Sequence, residues 1–142
     1  MKSSKFWIAV AAAGVAVNVF DGVLQGMILQ NMYYSKHPDL FNMTANPAWY
    51  IFGDFVAVFV FAWVYDKVSS SFASGWMGGA MYGLYAGILV NFPGQIFLHL
   101  YIRGFSYRLA WFNTIYGIVW GILAGAIFAA VYKKGASTSS AS

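Results

Sequence analysis

Two aspartates, Asp21 and Asp54, stand inside otherwise apolar stretches of this 142-residue chain. An ionised carboxylate at a bilayer centre costs about 2.5–3.5 kcal/mol on insertion scales, so such groups face protein or water, pair, or carry a proton. Other polar side chains occur in the same kind of surroundings: Asn18, Gln25, Asn91, Gln95, His99 and Asn113. Asn18, Asp21, Gly22, Gln25 and Gly26 are spaced by three and four, which puts them on one helix face. Arg103 and Arg108 are near enough in sequence to reach such a cluster. Side chains of these types can lock a bundle, carry a proton or cation, or line a ligand pocket.

Other chemistry is disfavoured. The chain has no cysteine, which excludes disulfides and thiolate metal sites. It has no GxSxG elbow, Walker loop or HExxH pair, so no enzymatic activity is expected. Met27, Met32 and Met43 could offer soft thioether ligands, but Met27 and Met32 are five apart and do not share a helix face. Only His99 of the two histidines lies in an apolar stretch; His37 falls in a loop. No metal, haem or other cofactor is therefore expected, and the methionines read as packing residues.

Composition sets the elements that must position these groups. The chain is 61% hydrophobic and 8% charged, too apolar for a soluble domain. Four stretches, at about 6–29, 48–65, 74–101 and 109–132, have the length of about 20 residues that a crossing needs. The expected fold is all-α, one domain over residues 1–134, an up-down bundle of four transmembrane helices joined by short links. The tail, 135–142, is small and polar and is expected to be disordered.

Two rows at four-residue spacing predict how the bundle closes. Gly75, Gly79, Gly83 and Gly87 lead into Asn91, Gln95 and His99 on the third stretch, and Asn113 leads into Gly117, Gly121 and Gly125 on the fourth. Where apolar side chains gain little by meeting, stacked glycines let helix backbones touch. Close packing of the third and fourth helices follows; an oligomer-forming glycine zipper is the alternative use. Pro93 is expected to bend the third helix within its polar section.

Lys2, Lys5, Lys67, Lys133 and Lys134 at one end outnumber Lys36, Arg103 and Arg108 at the other, which favours both termini in the cytoplasm. Trp7, Trp63 and Trp76 then mark the inner interface and Trp49 and Trp111 the outer, with Trp120 deep in a span. The start to Ala16 resembles a signal peptide with a small-residue site at Gly14-Val15-Ala16. Apolar character continues to Leu29, however, so an uncleaved first helix is expected. Phe61–Lys67 resembles Phe128–Lys134, and aligning Asn18 with Asn91 pairs the first helix with the third, a weak sign of a duplicated hairpin.

The reading is a small multi-pass protein of a plasma membrane of the bacterial inner type. Its role is non-enzymatic, an accessory or scaffold subunit with a polar pocket in the outer leaflet. The pocket set is Asn18, Asp21, Gln25, Asp54, Asn91, Gln95, His99, Arg103 and Asn113. The alternatives are a small proton-coupled transporter using Asp21 and Asp54, and a redox or pigment-binding subunit with His99 as axial ligand. Expected partners are the lipid bilayer and further copies or other membrane subunits. The charge of +4 sits at span ends and does not point to nucleic acid.

Overall fold

A computed structural model describes residues 3–132, and these are all-helical where they are regular. The predicted tail, with Lys133 and Lys134, lies outside the described residues. Four long helices form: α1 Ser4–Val23, α2 Pro47–Val68, α3 Trp76–Tyr101 and α4 Tyr107–Tyr132. Their starts are capped as local chemistry requires. Ser3 accepts from the Phe6 N–H at 3.4 Å, Asn46 from Ala48 at 3.0 Å with Pro47 following it, and Ser106 from Leu109 at 3.1 Å. Gly75, at φ +78°, supplies the left-handed turn that opens α3, and Gly104, at φ +96°, does the same in the α3–α4 link.

Beyond Val23 the first helix does not stop. It widens into a π-helical turn over Leu24–Leu29, resumes α geometry at Gln30–Met32, and ends in a 3-10 turn at Tyr34–Lys36. Nothing in the residue spacing announces the π turn. Three segments among the described residues are long and apolar enough to cross a membrane: Ser4–Lys36, Pro47–Ser71 and Tyr107–Tyr132. The fourth expected span, α3, is long enough at 26 residues but falls short in apolarity, because glycines, Asn91, Gln95 and His99 dilute it. Its helix also runs on through Pro93 without interruption.

Neighbouring helices run antiparallel. α3 and α4 share the most extensive contact, α4 also lies along α1, and α1 along α2. Ser4, Tyr132 and the 69–75 turn collect at one end, here the terminal end, where the ring of Phe6 lies 5.7 Å from that of Tyr132. The 33–46 loop and the α3–α4 link meet at the other, the loop end, where the Tyr33 hydroxyl bonds Ser106 at 3.1 Å. The core sits towards the terminal end: Phe6, Val58, Ala62, Tyr65, Tyr82 and Phe128 are buried together. Five of the six tryptophans, Trp7, Trp49, Trp63, Trp76 and Trp111, are exposed, and Trp120 is turned inward near Phe61.

The glycine rows meet as backbones. A Cβ at Gly79 would strike the carbonyl of Gly125, one at Gly83 that of Gly121, and one at Gly87 the Ile118 backbone. A Cβ at Gly117 would strike the Asn91 amide, so the row closes on a polar side chain. Gly75 is the exception: it is exposed, with open space where a Cβ would go, and serves the turn rather than the packing.

A valine at Gly83 should therefore lower stability by about 3 kcal/mol, the upper part of the usual overpacking range. Gly53→Ala, in the open space on α2, should be neutral or gain up to about 1 kcal/mol from helix propensity. Equilibrium unfolding of both variants in mild detergent checks the contrast.

Candidate functional site

Asp21 on the last turn of α1 and Asp54 two turns into α2 turn towards each other. Their carboxyls are in hydrogen-bonding contact, and both line one groove between the two helices. From α4, the Tyr116 hydroxyl donates to Asp21 Oδ1, and Trp120 makes a further polar contact with the same carboxyl. Tyr116 is itself held by stacking on Phe20, with ring centroids 5.3 Å apart and planes 5° from parallel.

The groove encloses about 450 Å3. Its walls are Val15 and Val19 from α1 and Ile51 and Phe55 from α2, and Asn18 joins the acids along its floor. Phe55 packs directly over Gly14, where a Cβ would strike its ring, and it forms part of the groove lining. Asn18 does not spend its amide on the acids: its N–H donates back to the Gly14 carbonyl at 2.9 Å.

A second, more polar cleft of about 320 Å3 lies at the loop end, between Gln25, Gln30, Tyr34, Asn42 and Tyr50. Tyr50 lines both spaces, so the cleft and the acid groove adjoin at its ring. Gln25 organises the boundary. It accepts from the Tyr34 hydroxyl at 2.5 Å and donates to Asn113 Oδ1 at 3.4 Å, tying the loop, the π turn and α4 together.

The expected polar set thus divides. Asn18, Asp21 and Asp54 share the groove, and Gln25 and Asn113 form a layer one turn nearer the loop end. Asn91 belongs instead to the α3–α4 contact, with its N–H on the Gly87 carbonyl at 3.0 Å. His99 is spent on the α3–α4 link, where Nδ1 donates to the Phe105 carbonyl at 2.7 Å and the ring leans on Tyr107. Gln95 has a buried Oε1 with no hydrogen-bond partner among the described residues. Arg103 and Arg108 are exposed, and the contacts of Asp21 come from Asp54, Tyr116 and Trp120. The cause is geometric: from Gly79 to Asn91 the row on α3 faces α4, and α3 shares no extensive contact with α1, so continuing the row does not bring Gln95 and His99 to the groove.

Tyr116, Trp120 and Tyr50 were not singled out by residue type. The first two lie three and seven residues beyond Asn113, on one helix face with it, and that spacing is the signal that marks them. Among the described residues no three histidine, aspartate or glutamate side chains gather as a metal site would require.

Removing the Tyr116 hydroxyl tests the tie. Tyr116→Phe keeps the stacked ring and should cost about 1 kcal/mol, within the range measured for side-chain hydrogen bonds in membranes. In an Asp21→Leu background the same change should cost nothing, which a double-mutant cycle of unfolding free energies reads directly. Comparison with protein-family models, curated proteins and solved structures finds no match to this chain.

Proposed function

We propose that the chain is a small, non-enzymatic, four-span membrane protein that couples ligand binding to proton exchange at Asp21 and Asp54, a proton-linked transporter in outline. The observation that carries this reading is the meeting of the two carboxyls, from different helices, at the floor of a groove. Carboxylates inside a membrane-spanning bundle are costly and commonly mark proton or ion pathways. The orientation proposed puts both termini in the cytoplasm and the loop end outside, on the balance of lysines and arginines. With it, the adjoining polar cleft at Tyr50 faces the external solution.

A second reading has its own support. Asp21 is braced by two side chains of α4, which is what an acid used to lock an accessory or scaffold subunit needs. The two readings part on whether the carboxyls exchange protons.

Infrared spectra of the full chain in lipid nanodiscs, taken as pH is raised, should show a protonated-carboxyl band that disappears. Interacting groups titrate as a unit in two steps, so the wild type should lose its band in two steps. Asp21→Asn and Asp54→Asn should each leave a single step, and Asp66→Asn, at the terminal end, should change neither. A band that is the same in both groove variants removes the proton-exchange reading. Variants that merely unfold more readily, with no titration in the parent, favour the locking role.

A further inference from the structure

We infer that the groove between α1 and α2 takes a lipophilic cation, a single positive charge on an apolar body, entering sideways from the bilayer. This rests on the reading of Asp21 and Asp54 as the working pair. Tyr116 and Trp120 approach Asp21 from the α4 side, both carboxyls line the groove, and among the described residues no lysine or arginine lines it. An anion is repelled there, and a neutral guest leaves a carboxylate without a counter-charge in an apolar setting. Val15, Val19 and Ile51 are 57%, 63% and 51% exposed, so the opening is apolar and uncovered along its length, and in the proposed membrane setting it meets lipid. A small hydrated cation gains nothing from such walls, whereas an apolar body buries itself against them.

Two further residues fit the assignment. The Tyr50 ring stands at the junction with the outer cleft, where an aromatic face attracts a cation. Gly22 lines the groove with open space where a Cβ would point, so it leaves room beside Asp21. A space of about 450 Å3 lies within the usual range for small-molecule sites. Binding then exchanges charge for charge: the cation settles against the pair as one proton leaves it for water.

The test uses the full chain in phosphatidylcholine nanodiscs with tetraphenylphosphonium as the probe. Saturable binding is expected, tightening about tenfold per pH unit wherever one proton is released per cation bound. Tetraphenylborate, of the same shape and opposite charge, should not bind. Asp21→Asn and Asp54→Asn should each weaken binding at least tenfold, and Gly22→Leu should do likewise while the two-step infrared titration persists. If an asparagine variant fails to fold, Gly22→Leu and the borate comparison still decide.

Phosphonium binding that survives both asparagine variants overturns the assignment. So does the absence of saturable binding in a parent whose carboxyl band titrates, an outcome that leaves the proton-exchange reading standing. Loss of the band as well removes both. Two other occupants would also overturn it: a second copy, seen as a Gly22→Leu variant that changes oligomeric state without phosphonium binding in the parent, and a retained phospholipid that phosphonium does not displace.

Discussion

The contact on which the rest depends is the meeting of α3 and α4 as bare backbones. In a bilayer no hydrophobic force drives helices together, so close approach and the dispersion it brings must supply the association. Gly79, Gly83, Gly117, Gly121 and Gly125 permit that approach and leave no tolerance at the seam. The joined pair then presents α4 as a fixed surface. α1 packs along it, and α2 packs mainly on α1.

The site is the product of this order of assembly. The α3–α4 hairpin is closed by glycines, whereas the α1–α2 hairpin has a phenylalanine, Phe55, lying over Gly14. The groove lies beside that ring, which lines it together with the aliphatic side chains of both helices. Asp21 and Asp54 occupy its floor, one from each of these helices. The acid on α1 is in turn steadied by α4, through Tyr116 and Trp120.

Much of this was legible in the residues. The positions of α1, α2 and α4 follow from apolar length and that of α3 from its length, and the antiparallel pairing of Gly79 with Gly125 and Gly83 with Gly121 follows from the two rows and the short link between them. The common depth of Asp21 and Asp54 follows from counting turns. What could not be read was rotation. Four-residue spacing says that Gln95 and His99 continue a row, but not that the row faces α4 and not α1, and His99 is taken by the Phe105 carbonyl instead. The π turn at Leu24–Leu29 changes the facing of Gln25 by a backbone event that no residue type requires. The arginines failed as partners because local chain geometry sends them to the surface. Asn18 and Asn91, which the suggested duplication aligns, do behave alike, since each donates to the carbonyl of the glycine four residues earlier. The hairpins around them differ, one shut and one spread.

The ends of α2 are unequally restrained. At the terminal end its rings are clamped: Phe61 and Tyr65 lie 4.6 and 5.2 Å from Tyr82, Tyr65 meets Phe128 edge-on at 5.9 Å, and the Phe61 carbonyl accepts from the Tyr82 hydroxyl at 3.1 Å. At the loop end the same helix exposes Trp49, Tyr50, Ile51 and Phe52 and borders two cavities. A rod held firmly at one end and loosely at the other is a lever. Asp54 lies on its free arm, so a small tilt about the Tyr65 clamp changes the spacing of the two carboxyls while the glycine seam stays still.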